Sequence, residues 1–363
     1  MNRHTDILLA TPPLSTSERM GRLKWAGAVM PPLGVLYMAA NIRKHGLAVS
    51  IIDAEGARLG LEEITTRIRE KAPRILGITA TTLSIHKAGD LAKAVKKILP
   101  ETFIVVGGPH ATALPLDTLK LFKAMDAVLI GEGEHSILQL ANNIMNGLNP
   151  GEGIHGLTWR EGQDLFQTPS RGYIDDLDSL PMPAWDLLEN FPQAYRPPFH
   201  SYHRLPVANI ITSRGCPGAC TFCDRSISGR TVRYHSVDYI MEMIEHLTTA
   251  YAIREISIKD DMFITPKSRV MEFCRELKNR NIDVTWSCNA RVNSVNDELL
   301  RAMKDAGCWM ISYGIESGSD HMLKKMMKGV TKEQIVRALK LTRMQGIVSK
   351  GFFMIGIPEE TEK

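Results

Sequence analysis

Three of the six cysteines fall within eight positions, in the run Ser213-Arg214-Gly215-Cys216-Pro217-Gly218-Ala219-Cys220-Thr221-Phe222-Cys223-Asp224. Thiolates are soft metal ligands, and C-x3-C-x2-C on a loop with glycine and proline can aim three of them at one centre. Three thiolates hold three irons of a cubane iron–sulfur cluster and leave the fourth iron open. An open iron can bind a small molecule directly, which a four-cysteine electron carrier cannot do. The other cysteines do not complete the set. Cys274 lies on the apolar face of a helical pattern, and Cys288 and Cys308 lie at or beside strand-like runs. A structural zinc site would take His203 or His235 as fourth ligand, but the two separated C-x2-C pairs of a zinc ribbon are missing.

The loop follows a strand-like run, Ala208-Thr212, which opens a series. Strands Glu255-Lys259, Val284-Ser287, Trp309-Tyr313 and Gly351-Ile357 alternate with helices. Val237, Ile240, Met241, Ile244 and Leu247 share one helical face; Val270, Phe273, Cys274 and Leu277 share another; Ile335, Ala338, Leu339 and Thr342 a third. Gly307 and Gly346 read as helix ends. Such a parallel βα series presents its ligand sites at the C-terminal rim. Several residues there are open to two readings. Asp260 and Asp261 are cofactor contacts or helix caps. Arg291 grips an anion or makes a surface ion pair. Glu316 is functional or a solvated loop charge, and Gly356 is functional or a turn before Pro358.

Residues 1–147 show a second alternation. Strands are expected at Asp6-Ala10, Ala48-Asp53, Ile75-Thr79, Thr102-Val106 and Ala127-Ile130, forming a five-stranded parallel sheet. Leu91, Val95, Ile98 and Leu99 mark one helix; Ile137, Leu140, Ala141, Ile144 and Met145 mark another; Gly46 and Gly147 cap helix ends. Ligand loops follow the strands: Thr11-Pro12-Pro13, Thr79-Ala80-Thr81-Thr82, Gly107-Gly108-Pro109-His110-Ala111-Thr112 and Gly131-Glu132-Gly133-Glu134. No G-x-G-x-x-G follows the first strand, so a dinucleotide site is not expected. His110 bonds backbone or touches a cofactor. Proline-rich residues 151–204 read as a connector with a small hairpin near Leu157–Phe166, packed down by Trp185, Phe191, Tyr195 and Phe199.

The whole-chain numbers agree. A length of 363 residues implies about two domains and a remainder. Apolar residues at 44% and charged residues at 23% exclude disordered and collagen-like classes. The charge balance of 44 − 40 = +4 permits an anionic ligand without implying nucleic acid. Six cysteines are too few for a disulfide scaffold. The apolar stretch Ala28–Ala40 is broken by Pro31, Pro32 and Gly34 and is too short to span a bilayer. The N-terminus runs straight into a strand with no secretory signal, so a cytoplasmic protein is expected.

The cysteine motif, with Phe222 between its last two cysteines, resembles that of radical S-adenosylmethionine (SAM) enzymes. Glu255-Ile256-Ser257-Ile258-Lys259-Asp260-Asp261-Met262-Phe263 looks like the family's second strand, with Lys259-Asp260-Asp261 in place of the common Gly-Gly-Glu ending. Gly314-Ile315-Glu316-Ser317-Gly318 and Gly351-Phe352-Phe353-Met354-Ile355-Gly356 resemble the fourth- and fifth-strand motifs. The resemblance implies SAM contacts at Phe222, Asp260, Arg291, Glu316, Ser317, Ile355 and Gly356, and cluster ligation by Cys216, Cys220 and Cys223. Residues 1–150 are similar to the cobalamin-binding domain of the B12-dependent branch, on Pro31-Pro32-Leu33-Gly34 ahead of the first helix and the two glycine loops. This implies cobalamin contacts at Thr11, Pro12, Thr79, Thr81, Gly107, Gly108, His110, Gly131, Glu132 and Gly133. The D-x-H-x-x-G motif that supplies a cobalt-ligating histidine is absent; Asp53-Ala54-Glu55-Gly56 stands nearest. Cobalamin is therefore expected with its tail in the sheet crevice and no histidine below the cobalt.

The implied architecture is α/β: a Rossmann-like cobalamin-binding domain over 1–150, a connector over 151–204, and over 205–363 a partial (β/α)6 radical SAM barrel, truncated after strand five. Its end at Lys363 looks like a fragment boundary, leaving an open strand edge. The implied cofactors are a 4Fe–4S cluster, SAM and cobalamin. The implied activity is methyl transfer to an unactivated carbon or phosphorus through a 5′-deoxyadenosyl radical and methylcobalamin. A non-methylating radical cyclase or oxidoreductase, like the anaerobic Mg-protoporphyrin monomethyl ester cyclase, is the alternative. A corrinoid-binding sensor or carrier would explain residues 1–150 but not the cysteine loop. A tRNA methylthiotransferase is excluded, because residues 1–200 contain no cysteine. Expected partners are a small-molecule substrate and an electron donor such as flavodoxin or ferredoxin, with no nucleic acid and no membrane span.

Overall fold

The computed structural model describes residues 5–361. It forms two compact units. One takes the chain up to Asp175, with Ser179–Phe199 and Ser226–Ser228; the other takes Asp176–Asp178, His200–Arg225 and the chain from Gly229 onward.

In the first unit, β1 (Ile7–Thr11), β2 (Val49–Asp53), β3 (Ile75–Thr79), β4 (Phe103–Gly107) and β5 (Ala127–Leu129) are parallel. The helices are α1 (Thr16–Met20), α2 (Leu33–Lys44), α3 (Leu61–Lys71), α4 (Ile85–Ile98), α5 (Pro109–Ala113), α6 (Pro115–Leu121) and α7 (Ser136–Met145). Side chains of a strand alternate between faces. Leu8 and Ala10 therefore pack under Ile64 and Ile68 of α3 and Leu91 and Val95 of α4. Ile7 and Leu9 pack with Val35 and Ile42 of α2 and Ile137 and Leu140 of α7 on the other face. Burial on both faces explains why the strands read as continuous apolar runs.

The sheet is larger than the expected five parallel strands. β6 (Leu157–Glu161) and β7 (Asp164–Gln167) extend it antiparallel, giving seven mixed strands in the order β2-β1-β3-β4-β5-β6-β7. The hairpin expected inside the connector thus belongs to the sheet. Leu157, Thr158 and Trp159 are buried, so β6 covers the polar edge that β5 would otherwise expose. A short helix also precedes α2, so Pro31-Pro32-Leu33-Gly34 leads into the second helix. Its signal is the capping box of Ser15 and Glu18.

In the second unit, β8 (Val207–Ile210) is followed by a two-residue ribbon, β9 (Ser213–Arg214) with β10 (Arg233–Tyr234). Then come α8 (Val237–Tyr251), β11 (Glu255–Ile258), α9 (Lys267–Asn279), β12 (Thr285–Ala290), α10 (Asp297–Asp305), β13 (Cys308–Glu316), α11 (Asp320–Lys325), α12 (Lys332–Met344) and β14 (Val348–Phe353). The order β14-β13-β12-β11-β8 is wholly parallel, a partial β/α barrel. Ser236 and Asn296 cap α8 and α10, and Thr331 with Gln334 forms a capping box on α12. Ile256, Ile258, Trp286, Ile311 and Tyr313 are buried on the helix-covered face. Asn209, Ser257, Ser287 and Ser312 alternate with them and face the lumen. Among the described residues no helix is long and apolar enough to cross a membrane.

The helix-covered face centres on three rings. Phe273 of α9 lies 5.3 Å from Trp286 and 5.5 Å from Phe263, edge to face. Edge-on packing adds to the burial of these rings. Phe273→Ala is expected to cost about 3–5 kcal/mol in urea unfolding by leaving a cavity. A loss under about 1 kcal/mol would show that the cluster does not organise this unit.

Candidate functional site

The cysteine loop starts where β8 has ended. Its first residues are fixed by Asp260, which follows β11 and is 1% exposed. One carboxylate oxygen accepts from the Thr212 amide (2.6 Å); the other accepts from the hydroxyls of Thr212 (2.5 Å) and Ser213 (2.6 Å). Burial pushes the Asp260 carboxyl up, against these hydrogen bonds and the charge of Arg269. Arg269 Nη2 in turn donates to the Thr212 carbonyl at 2.7 Å, and its guanidinium lies over the Tyr234 ring. The Asp260 side chain is thus turned to the root of the loop, which leaves the backbone carbonyls near it as the expected SAM contact.

Further along, the Cys216 amide donates to the Gly229 carbonyl (3.2 Å) and the Thr221 amide to the Met326 carbonyl (3.0 Å). Arg225 donates to the Gly218 carbonyl. A Cβ added to Gly218 would lie 3.3 Å from Cys216 Sγ, 3.8 Å from Cys220 Sγ and 3.2 Å from Arg291 Nη1. Two sulfurs and a guanidinium therefore converge on a residue that must stay small. Burial, Cys216, Asp261 and Cys220 together push the Cys223 thiol up. Ionised together, Cys216, Cys220 and Cys223 would repel one another, and bound iron would offset that repulsion. The donor set thus fits a cluster. His235 and His203 are committed elsewhere: His235 Nδ1 is 2.9 Å from Asp178 with its ring on Tyr239, and His203 packs on Trp309.

Arg291 joins the loop to a cation that the sequence reading missed. Its Nη1 lies 3.8 Å from Cys220 Sγ, and its Nη2 donates to the carbonyl of Lys328. Lys328 Nζ is 2.7 Å from Glu316 Oε1, a pair with side chains only 8% and 10% exposed. The same ammonium stands 5.7 Å from the centre of the Phe222 ring. Phe222, Arg291 and Glu316 thus meet around the cysteines, with Lys328 binding them. Glu316 sits at φ 64, a left-handed position for a bulged strand end. Ser317, also buried, accepts from the Ser319 amide at 3.2 Å. Ile355 and Gly356 stand apart from this group, with Ile355 95% exposed.

In the first unit the candidate residues line one sheet edge, at the C-terminal ends of β1, β3, β4 and β5. The strand order reverses direction between β1 and β3, where a crevice opens. Gly108, at φ 93, sits so close to β3 that an added Cβ would lie 2.9 Å from Thr79 Oγ1 and from the Ala80 carbonyl. Gly131 donates its amide to Thr112, and an added Cβ on Gly133 would lie 2.8 Å from Met38. Thr81 closes a turn with Ser84. His110 Nδ1 lies 3.2 Å from Thr82 Oγ1. Glu132 accepts from the Ile174 amide at 2.7 Å. Gly107 and Gly108 therefore leave a backbone cradle, which suits a large flat cofactor with a nucleotide tail. Pro12 is buried, and Thr11 is already engaged. The Thr11 hydroxyl donates to Asp53 (2.6 Å) and accepts from Ala54 (2.9 Å), while Tyr195 donates to the other Asp53 oxygen (2.8 Å). A cavity of about 990 Å³ lies past the C-terminal ends of β1 and β2 and beside α4, lined by Pro13, Glu55, Arg58 and Lys87. None of the candidate cobalamin residues lines it.

Two stability effects follow. Asp260→Ala leaves a buried amide and two hydroxyls without their acceptor, so a loss of about 3 kcal/mol in urea unfolding is expected, together with a lower iron content after reconstitution. Unchanged stability would mean that the loop is anchored elsewhere. Burial pushes His235 down to about 4 from 6.5, with Asp178 only partly opposing it. Above pH 6.5 both folded and unfolded chains hold a neutral imidazole. As pH falls from 6.5 toward 4, chiefly the unfolded chain takes up this proton, so stability is lost, on the order of 3 kcal/mol. His235→Gln should flatten unfolding free energy over that interval; an unaltered slope would exclude His235 as its source.

Comparison with known proteins sets this geometry in a family. Residues 210–363 match the Radical SAM superfamily model, and residues 23–141 match the B12 binding domain. An uncharacterized methyltransferase of Pyrococcus horikoshii is 35% identical over 360 residues, covering 98% of this chain and 75% of its own length. The anaerobic magnesium-protoporphyrin IX monomethyl ester cyclase of Rubrivivax gelatinosus is 30% identical, over 91% of this chain and 60% of that protein. Among solved structures, the cobalamin-dependent SAM radical enzyme OxsB with aqua-cobalamin superposes at TM-score 0.81, with 21% identity, over 97% of this chain and 50% of that one. The methyltransferase TsrM from Kitasatospora setae, with cobalamin and a 4Fe–4S cluster bound, superposes at 0.77 with 17% identity, over 98% and 71%. The chain spans half of OxsB and three quarters of the Pyrococcus protein. Two units in this order, one with a three-cysteine loop at the rim of a β/α barrel and one with a glycine cradle at the edge of a Rossmann-like sheet, belong together: the chain is a member of the cobalamin-binding radical SAM enzyme family, with a 4Fe–4S cluster, SAM and cobalamin as its cofactors.

Proposed function

We propose that this enzyme transfers a methyl group to an unactivated carbon or phosphorus of a small molecule. The observation that carries the reading is the cysteine loop, with two sulfurs and the Arg291 guanidinium around Gly218. The Pyrococcus relative described as a methyltransferase supports methylation. In the same reading, residues 1–150 hold cobalamin, 151–204 connect, and 205–363 hold the cluster and SAM.

Bound together, these cofactors supply a carbon radical and a transferable methyl group. The chain's residues bind and orient. Cys216, Cys220 and Cys223 would take three irons and leave one open to SAM. Arg291 would bring positive charge beside the cluster, where the SAM carboxylate would lie, and Lys328 would hold Glu316 in place. Glu316 and Ser317, held by Lys328 and the turn at Ser319, would meet the ribose and methionine part. Phe222 would cover one side, and Ile355 and Gly356 would meet adenine. In the other unit, Gly107, Gly108, Gly131, Glu132 and Gly133 with Thr79 and Thr81 would hold the cobalamin tail in the crevice; Thr11 and Pro12 would shape its wall, and His110 would touch the cofactor. An electron donor such as flavodoxin or ferredoxin would reduce the cluster, in a cytoplasmic setting and without nucleic acid.

The Rubrivivax cyclase relative supports a second reading, radical cyclisation without methylation. The products separate the two. Anaerobically reconstituted protein with cobalamin and a reductant should convert SAM to 5′-deoxyadenosine, and Cys216→Ala should reduce this to background. S-adenosylhomocysteine formed alongside would mark methyl transfer; its absence during turnover would favour cyclisation. No 5′-deoxyadenosine from protein with a spectroscopically intact cluster would sink the radical reading.

A further inference from the structure

The barrel lumen carries two lysines that the cofactor contacts do not use. Val348, Met310, Ser287, Ser257 and Asn209 are paired across the sheet in one layer. One layer nearer the C-terminal rim, Lys350 pairs with Ser312 and Ser312 with Asn289. Lys259, two residues past Ser257, points the same way in that layer, because strand side chains repeat every second residue. β11 and β14 are not neighbours; β12 and β13 lie between them. Lys259 and Lys350 therefore approach each other across the concave face of the sheet.

Both charges are held without a counter-ion. Among the described residues neither ammonium has a carboxylate within ion-pair distance. Lys350 Nζ is 3.2 Å from Ser201 Oγ, 3.4 Å from His200 Nε2 and 5.5 Å from the Phe352 ring centre. Burial holds the Lys259 pKa below the usual lysine value, and the charge of Lys350 lowers it further; burial also lowers Lys350. Lys328, by contrast, is neutralised by Glu316. Two cations in one layer, with Asn289 and Ser312 in that layer between them and Ser201 bonded to Lys350, repel each other unless an anion joins them.

We propose that Lys259 and Lys350, with Asn289 and Ser312, form an anion-binding subsite that holds a carboxylate, phosphate or phosphonate group of the substrate. The assignment rests on the radical SAM reading, which puts the substrate in the lumen at this rim. The shared chemistry has a second source, the carboxylate of SAM itself, for which Arg291 and Lys328 are the nearer cations to the cysteine loop.

The test titrates the reconstituted chain with inorganic phosphate and with acetate by calorimetry, and separately with SAM. One saturable equivalent of phosphate or acetate is expected. Lys259→Gln and Lys350→Gln should each weaken it at least fivefold, and Lys350→Arg should keep it within threefold. SAM affinity should stay within twofold in all three. Circular dichroism checks folding, and Lys259→Arg replaces any glutamine variant that fails to fold, with retention expected. No saturable binding to the unmodified chain, or equal binding by the glutamine variants, overturns the proposal. A parallel fall in SAM affinity overturns it too, by assigning the pair to the SAM carboxylate. Lysine-dependent phosphate binding in protein that forms no 5′-deoxyadenosine would leave the anion site standing and remove the radical reading.

Discussion

One buried carboxylate decides where the cysteine loop begins. Asp260 takes three hydrogen bonds from Thr212 and Ser213 and sits out of contact with water. A buried carboxylate is costly unless its acceptors are satisfied, so its partners cannot drift without a large penalty. The loop therefore starts from a fixed point and its three sulfurs inherit that position. Arg269 locks the same residue from the other side through the Thr212 carbonyl. Precision at a cofactor centre comes from such supporting contacts as much as from the ligands.

Charge is distributed around this anchor in two different ways. Near the cysteines, Arg291 and Lys328 are engaged by a sulfur, a carbonyl and Glu316, so each is oriented before any ligand arrives. On the lumen side of the sheet, Lys350 has a hydroxyl, an imidazole and a ring as neighbours, and among the described residues neither it nor Lys259 has a carboxylate in ion-pair range. The first arrangement fixes geometry. The second stores unfavourable repulsion that a bound anion releases, which is a source of selectivity among otherwise similar molecules.

Local patterns were legible in the sequence. The cysteine spacing, the two strand–helix series and the glycines at helix ends depend on residues a few positions apart, and the structure has them. What required the fold was long-range. Lys328 reaches Glu316 only because α11 turns the chain back, and no motif marks it. Tyr195 meets Asp53 across 142 positions, so Thr11 looked free when its hydroxyl was already occupied. The last strand was expected over Gly351-Ile357; it runs Val348–Phe353, and Lys350 is polar because its side of the strand is the lumen. Asp260 was recognised as special, but sequence cannot say whether a carboxylate faces a cofactor or the backbone behind it.

The hairpin of β6 and β7 has a consequence for how the protein behaves among its own copies. A parallel sheet ending at β5 would present three apolar residues and an open row of backbone groups, a template for pairing with another chain. β6 hides that row behind buried Leu157 and Trp159. The outermost strand is then β7, four residues long, with Asp164 and Gln167 exposed. A strand this short, with a charge at its start and Phe166 stacked on Trp159, offers less for strand addition than the open β5 edge would.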